Sequence, residues 1–213
     1  FSPHPDDDVI SMGGTYARLI DQGHDVHVAY QTSGNIAVSN EDAKKFIEVM
    51  YSFISSPDVK KVLKSVKDEL RKKKIGDADS ENIMKLKGLI RKSECIAAAN
   101  YLKLPEKNLH FLNLPFYETG YIKKNDPTYK DIKIVSSLIE SIKPHQIYAA
   151  GDLADPHGTH RICLDIIFDS LKELKNKKFM RDCWLWLYRG AWQEWEIEEI
   201  DMAIPMSPAQ VIQ

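Results

Sequence analysis

The sequence predicts an α/β fold in three layers, a mainly parallel sheet with helices on both faces. Short runs rich in β-branched and aromatic residues alternate with longer segments whose apolar residues recur at helical spacing. The 213 residues suit one α/β domain with a sizeable core. Two clusters of ionisable residues follow strands directly, at the rim where open α/β sheets bind ligands.

Phe1 and Ser2 read as the end of a strand, so the sequence is expected to be a fragment of a longer chain, or one whose order begins mid-strand. Residues 12–22 form a helix opened by Gly13 and Gly14 and stopped by Gly23. Residues 25–32 alternate as a strand, and Ser33, Gly34 and Asn35 turn the chain. Residues 41–101 are helical and highly charged, and the stretch 41–90 reads as an insertion, a side layer or cover. Ser56-Pro57-Asp58 starts one of its helices, with Val59, Val62, Leu63, Val66 and Leu70 in helical period; the basic run 71–74 ends it. Another runs from about Glu81 to Leu102 with Ile83, Leu86, Ile90, Ala97 and Tyr101 on one face, and Pro105 prevents continuation. A strand over 109–114 and a helix over 129–143 follow, the helix turning Ile132, Val135, Leu138, Ile139 and Ile142 inward. The strand Gln146–Ala150, a helix over 158–175 and an aromatic strand over 183–188 complete the series as one domain over residues 1–213. Chain order and the right-handed crossover rule make the sheet Rossmann-like.

Composition narrows the function. A net charge of −2 gives no reason to expect nucleic acid. No apolar run has the length of a membrane span, and no signal peptide is visible. Cys95, Cys163 and Cys183 form no CxxC pair; free thiols in a reducing compartment, the cytoplasm, are the simplest reading. Oligomeric state is left open.

His4-Pro5-Asp6-Asp7-Asp8 is the first candidate site. Three adjacent carboxylates are costly to bury unless a cation neutralises them, and a dication takes His plus carboxylate ligands. His4 and Asp7, three apart, can share one ion, leaving Asp6 free to move a proton. The alternative is a solvated turn whose Asp caps the next helix. Asp155-Pro156-His157-Gly158-Thr159-His160 is the second, with two histidines on one face of a first helical turn. His24, His27, His110 and His145 are isolated and read as strand or loop residues.

HPDD before a helix with paired glycines, followed by a later HxxH, resembles the PIG-L/LmbE-like family of zinc-dependent N-deacetylases. Thr32-Ser33-Gly34 falls where that family has a T-x-G turn, and Arg91 to Glu94 matches its R-x-x-E helix. The resemblance implies Zn2+ held by His4, Asp7 and His160, with Asp6 as general base and His157 stabilising the developing oxyanion. It implies Arg91 as a substrate contact, and Asn35, in the turn after the strand over 25–32, is a second candidate. The implied substrate is a small amino sugar bearing an N-acetyl group. Asp8 departs from the family's usual Glu, and Thr159 from the Asp usual before its last His. HPDDDVISMGGT and LWLYRGAW further resemble the C-terminal part of bacterial proteins whose N-terminal part is glucosamine-6-phosphate deaminase-like, implying a covalently linked N-terminal domain and a role in amino-sugar metabolism. Rival readings are a magnesium- or manganese-dependent phosphoesterase using the Asp cluster, a nucleotide-binding module using Gly13-Gly14, and a non-catalytic sugar-binding domain.

Overall fold

The computed structural model describes residues 1–212 and has a mixed α/β architecture. Four parallel strands lie in two two-stranded sheets, β1 (Val28–Tyr30) with β2 (Leu109–Phe111), and β3 (Gln146–Ala150) with β4 (Trp184–Tyr188). Residues 1–3 run between them. Ser2 N donates to Ala29 O at 2.8 Å and Ser2 O accepts from Gln31 N at 2.8 Å, while Phe1 N donates to Tyr148 O at 2.7 Å. The strands over 25–32 and 109–114 are thus shorter than expected, three residues each, because the chain leaves the ladder early to form the loops that carry the site.

Helix α1 spans Asp7–Asp21, beginning five residues before the expected start at 12. Its first turn is acidic, with Asp7 and Asp8, which suits the positive end of the helix dipole. Gly13 and Gly14 are therefore mid-helix and open nothing. A Cβ on Gly14 would lie 2.6 Å from Met206 Sδ, so its role is close packing of the C-terminal segment.

The charged stretch forms α2 (Asn40–Phe53), α3 (Pro57–Lys72) and the first half of α4 (Glu81–Tyr101). Serine caps each, Ser39, Ser56 and Ser80. Ala43, Ile47, Leu63, Val66, Leu70 and Ile83 make a small core of their own. Val59 and Val62, expected inward, are exposed, because the buried stripe of α3 is Leu63, Val66 and Leu70 alone. In α4 Tyr101 and Ala97 also face solvent; Cys95 and Ala99 take the inward places. Buried Lys87 ties the layer together, donating to Asp79 Oδ2 and Asn40 Oδ1, each at 2.8 Å, with Lys73 on the other Asp79 oxygen.

The main core packs α5 (Tyr129–Ile142) and α6 (Thr159–Leu174) on β3, with Val135, Ile139, Ile147, Ile166 and Ile167 buried. A second cluster packs α1 and α4 against β1 and β2 through Tyr16, Tyr30, Cys95 and Ala99. His27 and His110 are not isolated: they stack across the β1–β2 pair, Nδ1 to Nε2 at 2.9 Å. No helix among the described residues is long and apolar enough to cross a membrane.

Candidate metal centre

Two turns bring His4, Asp7 and His160 together. Residues 3–6 leave the strand segment and enter α1, and Thr32 holds them, its N–H and Oγ1 donating to Pro3 O at 3.1 and 2.8 Å. Gly34 has φ 63°, and a Cβ there would lie 2.7 Å from Pro5 Cδ, so the T-S-G turn needs glycine to sit against this loop. Asp7 Oδ2 accepts from His4 N at 2.9 Å and lies 3.1 Å from His4 Nδ1. On the far side, the loop after β3 ends at α6, whose first turn carries His160; Thr159 N donates to Asp155 Oδ2 at 2.8 Å.

His160 is 1% exposed and its tautomer is set by its partner. Nδ1 lies 2.9 Å from the Asp152 carbonyl, which only accepts, so Nδ1 carries the proton. Neutral His160 then presents a bare Nε2 lone pair 3.2 Å from Asp7 Oδ2, and Nε2 is a buried atom with no hydrogen-bond partner. A lone pair facing a carboxylate oxygen is repulsive unless a cation lies between them. Without a metal that cation is a proton. Burial pulls the His160 pKa down, but the Asp7 carboxylate outweighs it and the net shift is upward. Burial likewise pushes Asp7 up, and the two imidazoles reverse this, holding it well below the usual carboxylate range. Donor atoms of His4, Asp7 and His160 lie within 4.8 Å of one another, and they could hold a metal ion. Two imidazoles and one carboxylate suit zinc better than the oxygen-seeking magnesium or manganese of the phosphoesterase reading. The Asp152 carbonyl is placed as the outer hydrogen bond that would orient His160 toward such an ion.

Asp6 is not one of the three clustered residues. Its Oδ2 accepts from Arg91 Nη2 at 2.7 Å, and the carboxylate is 46% exposed. Burial raises its pKa more than Arg91 lowers it, and the neighbouring Asp7 adds to the rise. Arg91, expected to touch substrate, is spent on the protein: it also donates to Pro5 O and to Glu94 Oε2, the latter at 2.7 Å. Asn35 is buried, its Nδ2 donating to Glu118 Oε2 at 2.8 Å and its Oδ1 unpartnered. His157 is exposed on the loop before α6, its ring edge-on to Trp192 with centroids 6.4 Å apart, and does not join the three-residue cluster. Asp8, the departure from the familiar pattern, is buried and accepts from Tyr30 OH at 2.9 Å, linking α1 to β1. Burial lifts its pKa.

Tyr117 and Glu118 were not anticipated. Tyr117 is buried edge-on to His4, centroids 5.9 Å apart, and Glu118 also accepts from Ser33 N at 3.3 Å. Their one sequence signal is position, just past the carboxyl end of a strand. A cavity of about 630 Å³ lies elsewhere, between residues 24–29 and 143–148, and none of the three clustered residues lines it.

A family model described as GlcNAc-PI de-N-acetylase matches residues 1–170. The chain is also 51% identical over 219 aligned positions to a glucosamine-6-phosphate deaminase-like protein of Bacteroides thetaiotaomicron. That alignment covers 99% of this chain and 33% of the relative, so the chain spans about a third of the length of the curated relative it matches.

Proposed function

The chain belongs to the PIG-L family, and on that premise we propose that it is a zinc-dependent hydrolase that removes an N-acetyl group from an amino sugar or an amino-sugar conjugate. The observation that carries the metal is the bare, buried Nε2 of His160 aimed at Asp7. The amino sugar is supported by the family description and by the relative's name.

His4, Asp7 and His160 would hold the zinc ion, which would supply Lewis acidity and a more acidic water. Asp6 is the general base. Arg91 fixes one of its oxygens, leaving Oδ1 to take a proton from the attacking water. The same carboxyl returns that proton to the leaving nitrogen, so amide and water become acetate and a free amine. His157, on its exposed loop, donates to the developing oxyanion. Asn35 Oδ1 and Arg91 Nε each lack a protein partner and remain the two expected substrate contacts.

We read residues 1–213 as one deacetylase domain carrying an inserted helical layer at about 41–90. Strands β2 and β1, residues 1–3, β3 and β4 are read as one interrupted parallel sheet with helices on both faces, and the relative's greater length supports a linked further domain. The three unpaired thiols fit a cytoplasmic setting. The test is acetate release from N-acetylglucosamine by zinc-loaded protein, lost on chelation and restored by zinc. Failure with every N-acetylated sugar tried, from a protein holding stoichiometric zinc, would overturn the substrate.

A further inference from the structure

Residues 189–206 lie beyond the stretch that matches the family model, yet they are built onto the rim of the metal centre. Gly190 meets α1 at Ser11, four residues after the ligand Asp7; a Cβ there would lie 3.2 Å from Ser11 Cα. Arg189 Nε donates to Gly151 O at 3.1 Å, and its guanidinium lies 3.7 Å from the centroid of the Trp195 ring, which packs against Gly151. The backbone N–H groups of Trp192 and Gln193 donate to Asp152 Oδ2, that of Gln193 at 3.1 Å. Asp152 is 1% exposed, and its own carbonyl orients the ligand His160. One buried residue therefore fixes both a metal ligand and the position of Trp192.

Trp192 is thereby held beside the loop that carries His157. The residue is 52% exposed, and its ring meets His157 edge-on. The other indoles are covered or lie elsewhere: Arg189 lies over Trp195, and Trp184 and Trp186 stack on each other along β4, Trp184 at its entering end. Trp192 alone among them offers an open aromatic face at this rim. Such a face attracts the weakly positive C–H face of a pyranose, and aromatic walls with few polar groups are how small-molecule sites commonly gain binding energy.

We propose that Trp192 is the stacking platform for the sugar ring, set in register with the metal centre by Asp152. This rests on the amino-sugar reading above and adds a specificity residue to it. The test measures N-acetylglucosamine binding by calorimetry and its turnover, with zinc-loaded wild type, Trp192→Ala and Trp192→Phe. The expected result is roughly tenfold weaker binding and a similarly raised KM for Trp192→Ala, recovered mostly by Trp192→Phe, with one zinc per chain in all three. Trp192→Ala binding within twofold of wild type would overturn the platform while wild-type turnover kept the amino-sugar reading. Wild type that neither binds nor turns over N-acetylated sugars would overturn both.

Discussion

Replacing Arg91 separates two roles that its position allows. The family resemblance implies a substrate contact; the structure spends it on Asp6, Pro5 and Glu94. A charge-assisted hydrogen bond contributes about 1.5–3 kcal/mol when buried. The Asp6 carboxylate is nearly half exposed, so solvent screening brings the share spent on holding it to about 1–2 kcal/mol. Taken as lost transition-state stabilisation, that is roughly a five- to thirtyfold fall in kcat for Arg91→Ala. KM should move less than twofold, since no contact with the bound sugar is lost. Arg91→Lys should recover little, because an ammonium cannot reproduce the planar fork that reaches three acceptors. The assay is steady-state acetate release, with zinc content measured alongside. A KM raised severalfold at unchanged kcat would refute this reasoning and return Arg91 to the substrate.

Asp6→Ala should keep one zinc per chain and lose turnover by at least about a hundredfold, the usual scale for a lost general base; His160→Ala should lose both, and retained stoichiometric zinc in that variant would sink the ligand assignment. Lys87→Met strips Asp79 of its buried ammonium partner, leaving the partly exposed Lys73, and should cost about 3 kcal/mol, roughly 6–12 °C in Tm; a fall under about 2 °C would contradict it. Burial and the facing His27 lower the His110 pKa, so the folded state binds fewer protons than the unfolded chain below about 6.5. Stability from this pair is complete above that pH and declines as pH drops through it. The urea midpoint should therefore fall less between pH 7.5 and 5.5 in His110→Gln than in wild type, and an equal or larger fall would contradict the sign.

The chemistry of the site was legible where neighbours in sequence supply it. His4 and Asp7 stand three apart in one turn, so they could be read as candidate ligands before the fold was known, and the structure brings them together with His160. His160 could be tied to them because its turn follows a strand, as theirs does. What tertiary contact decides could not be read. Nothing in the spacing shows that Arg91 would reach back to Asp6, that Glu118 would hold Asn35, or that residues 189–195 would fold onto Asp152. Glycine pairs read as a helix start because their close packing partner, Met206, lies far along the chain. In α3 and α4 a helical period admitted several faces, and only packing chose Leu63 over Val62 and Cys95 over Ala97. The strands shrank for a related reason: alternation persists through residues whose backbone has already left the ladder.

The measurement closest to the central claim is a crystal of zinc-loaded protein with diffraction recorded above and below the zinc absorption edge. The account predicts one strong edge-dependent anomalous peak per chain within about 2.0–2.2 Å of a His4 nitrogen, an Asp7 carboxylate oxygen and His160 Nε2. No such peak there in protein shown to retain zinc, or a peak on another set of residues, would contradict it.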